Sequence, residues 1–127
     1  MGSQAKILVV DDSKFMRNII KETLVQIGYG QILTASTGTD ALEICKLNMP
    51  DLILLDVNMV DMDGITLLKQ IIEFNPDAKC VMVSAIDQVK VIELAKKIGA
   101  VDYLKKPFDA DELVQVVHKV LGDDADG

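Results

Sequence analysis

The chain has 127 residues, half of them hydrophobic and 26% charged, which is the composition of one soluble, globular domain. Twenty acidic side chains against 13 basic ones give a net charge of −7, a surface that repels the phosphates of nucleic acid. No apolar run approaches the roughly 20 residues that span a bilayer. Ile7 to Val10 is too short for the apolar region of a signal peptide, so the expected location is cytoplasmic, with no membrane partner.

In chain order, Lys6 to Val10 reads as a strand buried on both faces, and it runs into Asp11 and Asp12. Met16, Ile20, Leu24 and Ile27 then recur at helical spacing, and Gly28 and Gly30 end that helix. Gln31 to Ala35 is a second strand, and the helix after it runs out at Pro50. Leu52 to Leu55 is a third strand that leads into Asp56 and Asn58, and its helix stops before Pro76. Lys79 to Val83 is a fourth strand with Ser84 at its end. Val91, Leu94, Ala95 and Ile98 mark the inward stripe of the next helix, which ends at Gly99. Ile86, Val89 and Ile92 fall off that stripe and are the expected docking patch. Val101 to Leu104 is the fifth strand, followed by Lys105, Lys106 and Pro107. Leu113, Val116, Val117, Val120 and Leu121 form the clearest helical repeat. The expected domain is a single unit over residues 1–127, with a core of about 6–121 and an acidic tail, 122–127, that frays.

Strands alternating with helices through short connections predict a parallel sheet with helices on both faces. Ligands of such sheets bind outside the carboxyl ends of the strands, where strand order reverses. The residues that end the strands are Asp11, Asp12, Asp56, Asn58, Ser84 and Lys106. Singly, each has an ordinary explanation: Asp12 or Ser13 can cap a helix, Asp56 can open a turn, and Lys106 can be a solvated loop lysine. Three converging carboxylates repel one another unless a cation joins them. A hard divalent ion, Mg²⁺ or Mn²⁺, suits one or two carboxylates with water and phosphate oxygens, and Lys106 completes the charge balance. Cys45 and Cys80 are expected to be reduced, buried thiols without zinc-site spacing, and the single histidine, His118, a surface or helix-end residue.

The strings KILVVDDS, DLILLDVNMVDMDG, VMVSA and DYLKKPF resemble, in order and spacing, the four signature blocks of response-regulator receiver domains. The likeness runs from about Lys6 to Leu121 and is closest to single-domain, CheY-like members, through the DDSKFMR opening, Asn58 and Tyr103. It implies a flavodoxin-like five-stranded parallel sheet in the order 2-1-3-4-5. By the same resemblance Asp56 is the phospho-acceptor and Asp12 a metal ligand, with Asp11 acting on the metal through water. Asn58 would lend its backbone carbonyl, Ser84 its hydroxyl and Lys106 its ammonium, and Tyr103 is the aromatic switch. One departure is Val60, which stands after Met59 where many members have proline and is expected to loosen the loop; the added Lys105 is another.

The implied partners are a histidine kinase as donor, a downstream protein target such as a flagellar motor switch protein, and a phosphatase. The expected state is a monomer, with dimerisation through the switch face an option on activation. The alternatives within the family are a phosphorelay intermediate that passes its phosphate to a histidine phosphotransfer protein, and a receiver cut from a longer regulator. The protein is expected to be a self-phosphorylating acceptor rather than a turnover enzyme. An aspartyl-phosphate phosphatase of the haloacid-dehalogenase type would want a second acid two residues past Asp56, where Asn58 stands. A flavodoxin would want a phosphate loop where Asp11 and Asp12 stand.

Overall fold

The computed structural model describes residues 3–59, 61–85 and 88–122. The expectations placed on Val60, on Ile86 and on the acidic tail beyond Gly122 fall outside the described residues. Five strands alternate with five helices: β1 (Ser3–Val10), α1 (Lys14–Gln26), β2 (Tyr29–Ala35), α2 (Gly38–Asn48), β3 (Leu52–Asp56), α3 (Gly64–Phe74), β4 (Cys80–Ala85), α4 (Val89–Ile98), β5 (Asp102–Lys106) and α5 (Ala110–Leu121). The strands form one parallel sheet in the order β2-β1-β3-β4-β5.

Alternation along each strand sends neighbouring residues to opposite faces and builds two apolar layers. Leu8, Val10, Ile53, Leu55, Cys80 and Met82 face the layer closed by α2, α3 and α4, through Ala41, Cys45, Leu67, Leu68, Ile71, Ile92 and Ala95. Ile7, Val9, Leu52, Leu54, Val81 and Val83 face the layer closed by α1 and α5, through Ile20, Leu24, Leu113, Val116 and Val117. The near-continuous apolar runs of β1, β3 and β4 are therefore explained by burial on both sides. Cys45 and Cys80 are free thiols within the first layer. Burial pushes the Cys45 thiol up to about 11 and the Cys80 thiol up to about 12, so both are inert as nucleophiles.

Three expectations need correction. Gly30 lies inside β2, and Gly28, at φ 106°, is the glycine that follows the end of α1. Ile27, expected inside the helix, is its C-cap and is exposed. Lys105 and Lys106 do not follow their strand but belong to it, with Lys105 paired to Ser84 and Lys106 to Ala85. Loss of apolar character marks the end of the two apolar layers, whereas the hydrogen-bond ladder runs on into the polar residues.

The inward arc of α4 is also rotated from the expected one. Ile92 is 8% exposed and Leu94 47% exposed, so Ile92 leaves the expected docking patch and Leu94 leaves the core stripe. Val91, Ile92, Ala95 and Ile98 span one arc of the helix, and small Ala95 at its centre lets it lie close on the sheet. Leu94 sits just beyond the edge of that arc, an ambiguity that periodicity alone does not resolve. Val89 remains exposed, as expected.

Candidate functional site

The order β2-β1-β3 means that the chain leaves β1 in one direction and returns on its other side as β3. The crevice beyond the carboxyl ends of β1 and β3 is therefore the switch point of the sheet. Asp11 follows β1 and Asp56 ends β3, so both carboxylates are delivered to it by the topology. Carboxylate oxygens of Asp11, Asp12 and Asp56 all lie within 4.8 Å of one another. Asp11 is 2% and Asp56 5% exposed, whereas Asp12 faces solvent.

Local hydrogen bonds set these side chains. Ser13, not Asp12, caps α1, since its Oγ accepts from the Met16 N–H at 3.2 Å. That leaves Asp12 available to the cluster. Asp11 Oδ1 accepts from the Ser13 N–H at 2.9 Å, and Arg17 Nη1 donates to the Asp11 backbone carbonyl at 2.7 Å. Asp56 Oδ1 accepts from the Asn58 N–H at 3.1 Å. A Cβ on Gly64 would fall 2.6 Å from the Asp56 carbonyl oxygen and 2.7 Å from Val57 Cα. Only glycine lets α3 begin that close to the end of β3.

Lys106 reaches in from β5. Its Nζ lies 3.2 Å from Asp11 Oδ2 and 3.4 Å from Asp56 Oδ2, bridging the two buried carboxylates. Burial pushes the Asp56 carboxyl above its ordinary value, opposed by the Asn58 N–H and the Lys106 ammonium. Burial also acts against the charge on Lys106, but Asp56 and Asp11 outweigh it and hold the ammonium above its usual range. Two of the three clustered carboxylates thus share one ammonium, and the ligand atoms brought together by Asp11, Asp12 and Asp56 are all oxygen. Such a set fits a hard cation such as Mg²⁺.

Ser84 is 1% exposed, and its Oγ makes no hydrogen bond among the described residues. A buried hydroxyl without a partner is costly, and the site carries one next to its charged groups. β3 and β4 pair Asp56 with Val83, which puts Ser84 one residue further along the rim. A cavity of about 350 Å³ opens between α4 and β5, lined by Ser84, Gln88, Val89, Ile92, Lys96 and Tyr103 among others. Tyr103 is half-buried there, with Lys96 Nζ 5.0 Å from its ring centroid. A larger cavity, about 570 Å³, lies at the opposite ends of the strands near Gln4, Met49 and Asp77, away from the carboxylate cluster.

The residues expected at the strand ends lie at the rim: Asp11, Asp12 and Asp56 cluster, Lys106 contacts Asp11 and Asp56, Asn58 adjoins Asp56, and Ser84 shares the adjacent cavity with Tyr103. Lys105 is exposed, on the edge strand. His118 sits in the last turn of α5, its ring 6.1 Å from that of Tyr29. Residues not foreseen include Gln88, whose Oε1 accepts from the Ala85 N–H at 2.9 Å and whose Nε2 is 3.5 Å from Asn58 Oδ1. Asp61 is another, as it binds the start of α2.

Fold and rim together define a doubly wound α/β protein with an acidic, lysine-bridged pocket at its switch point. The family model of the response regulator receiver domain matches residues 7–118, and the chain belongs to that family. Chemotaxis protein CheY of Bacillus subtilis (strain 168) is 40% identical over 116 residues, 91% of this chain and 97% of that protein. The structure of Vibrio cholerae chemotaxis protein CheY4 superposes with a TM-score of 0.87 and 30% identity, covering 94% of this chain and 100% of that one. NtrX from Brucella abortus, in complex with ADP, superposes with a TM-score of 0.89 and 32% identity over 94% of this chain. The match takes in 27% of the NtrX chain, so this chain spans about a quarter of that longer one.

Proposed function

We propose that this protein acts as a two-component response regulator whose acceptor is Asp56. The single observation that carries the proposal is the Lys106 ammonium set between Asp11 and Asp56, at 3.2 and 3.4 Å, on the rim of the sheet. A carboxylate oxygen of Asp56 attacks the phosphorus of a phosphohistidine on a kinase, or of a small acyl phosphate. The O–P bond forms as the P–N bond of the phosphohistidine breaks, the imidazole nitrogen keeping the electron pair, or as the P–O bond of the acyl phosphate breaks, the leaving carboxylate keeping it. The protein supplies position and charge rather than covalent chemistry. Lys106 transfers its attraction from the two carboxylates to the incoming phosphoryl oxygens, and the Asn58 N–H is already aimed at Asp56.

Asp11, Asp12, Asp56 and the backbone carbonyl of Asn58 are the groups that would hold Mg²⁺ or Mn²⁺. Bound there, the cation supplies charge neutralisation for the phosphoryl oxygens. The Ser84 hydroxyl gains the hydrogen-bond partner it lacks, and its movement frees space for Tyr103 to turn inward. The surface of α4, β5 and α5 is then what a downstream protein reads. Phosphorylation shifts this equilibrium only as far as the two states differ in affinity for the phosphoryl group.

Similarity to the chemotaxis proteins supports flagellar motor control as the output, in the cytoplasm, with a chemotaxis histidine kinase as donor and a motor switch protein as target. The phosphate would leave by slow hydrolysis or through a phosphatase, so the chain is an acceptor and not a turnover enzyme. Incubation with acetyl phosphate and Mg²⁺, followed by intact mass, tests the acceptor. A single phosphoryl adduct is expected on wild type, lost on chelation and absent from Asp56→Asn. Robust labelling of Asp56→Asn at the same site would sink the assignment.

A further inference from the structure

The connection between β3 and α3, residues 57–63, carries Asn58 and contains no proline to stiffen it. Its geometry therefore depends on how its two ends are held. Near α3 it is closed on itself, because the Gly64 N–H donates to the Val57 carbonyl at 2.7 Å. Further along, it is tied to a different element. The Asp61 carboxylate accepts from the backbone N–H of Gly38 at 2.8 Å and of Thr39 at 3.1 Å, and from the Thr39 hydroxyl at 2.8 Å.

Those amides are the first two of α2, and the next, Asp40 N–H, is taken by the N-cap Thr37 at 3.1 Å. A helix start leaves such N–H groups unsatisfied and attracts negative charge. Here the charge comes from a loop 22 residues beyond Thr39. The Gly38 amide, then the Thr39 hydroxyl and amide, hold the Asp61 carboxyl below its ordinary value. Met62 seals the same junction: a Cβ on Gly38 would lie 2.5 Å from Met62 Cγ and 2.7 Å from its Sδ. Two consecutive loop residues therefore dock on the first turn of α2.

We propose that Asp61 is a positioning residue for cation capture, anchoring the β3–α3 connection to α2 so that the Asn58 carbonyl faces Asp11, Asp12 and Asp56. This rests on the cation site proposed above. Asp61 touches neither the cation nor the acceptor, and it acts through the two residues of chain that separate it from Asn58.

The test is a Mg²⁺ titration of the full chain followed by amide NMR shifts, for wild type, Asp61→Ala, Asp61→Asn and Thr37→Ala. Asp61→Ala is expected to weaken the Mg²⁺ dissociation constant about 10-fold, the lower range for loss of a group that orients a metal ligand. Asp61→Asn keeps one acceptor oxygen, enough for the Gly38 N–H or the Thr39 N–H but not both, and should recover part of that loss. Thr37→Ala weakens the start of the same helix without touching the loop. It should lower the melting midpoint and leave Mg²⁺ affinity unchanged. Equal affinity in Asp61→Ala and wild type, or an equal loss in Thr37→Ala, overturns the role of Asp61 alone. A wild type with no saturable Mg²⁺ response overturns the cation site and this inference together.

Discussion

Strand β3 places two kinds of buried residue side by side. Leu52 to Leu55 are at most 1% exposed and vanish into the two apolar layers, and Asp56, the next residue, is 5% exposed. Burying one leucine side chain stabilises the fold by about 1.5–3 kcal/mol. Burying a carboxylate costs several kcal/mol unless partners offset it. The contrast recurs at Val10 and Asp11 after β1, and at Val83 and Ser84 in β4. The strand interiors hold the protein together, and the strand ends hold groups whose electrostatic or hydrogen-bonding needs the fold leaves partly unmet. On the proposed function, that shortfall is what a cation and a phosphoryl group would fill.

The comparison can be broken by changing each half separately. Leu54→Ala empties a site among α1, α5 and the sheet and should cost about 2–5 kcal/mol in chemical denaturation. Below its melting midpoint the variant should still accept a phosphoryl group at Asp56. Lost labelling in a folded Leu54→Ala protein would show that core and rim are not separable.

A smaller effect is expected at the start of α5. Asp109 and Glu112 form a reciprocal capping box, with bonds of 2.8 Å to the Glu112 N–H and 3.2 Å from the Asp109 N–H. Asp109→Ala should lower stability by about 1 kcal/mol. Although Asp109 is close in sequence to Lys106, the rate of labelling should not change, because Lys106 is fixed by β5 pairing. A slower rate would place the start of α5 within the rim.

The pH dependence of metal-free protein sharpens the rim side. Asp56 has a folded value raised above the ordinary 3.8, so the native state keeps its proton to higher pH than the unfolded chain. Stability contributed by this group is therefore lost as pH rises from the unfolded value through the folded one. Denaturation profiles between acid and neutral pH should show that fall in wild type, and Asp56→Asn should reduce it. An unchanged profile in the variant would assign the loss to other groups.

Much of this division was legible in the sequence, since each rim residue terminates or closely follows an apolar run. Asp11 after Val10, Asp56 after Leu55 and Ser84 after Val83 announce themselves by polarity where an apolar run stops. Periodicity carried less information where two apolar arcs overlap, as in α4, where Ile92 and Leu94 exchange the expected places. Polar contacts between distant elements leave no periodic trace at all. Asp61 at the start of α2, Gln88 between Ala85 and Asn58, and Lys96 over Tyr103 became visible only when the chain was folded.

The most direct test of the rim is chemical denaturation of wild type and Asp56→Asn, each in chelator and in saturating Mg²⁺. In chelator, Asp56→Asn should be the more stable by roughly 1 kcal/mol or more, since it removes a buried charge from a crowded site. At about 100 times its dissociation constant, Mg²⁺ should add about 2.7 kcal/mol to wild type and clearly less to the variant, closing the gap. An Asp56→Asn protein that is less stable in chelator, or equal stabilisation of both proteins by Mg²⁺, would contradict the claim that the strand ends are an unmet cation and phosphoryl site.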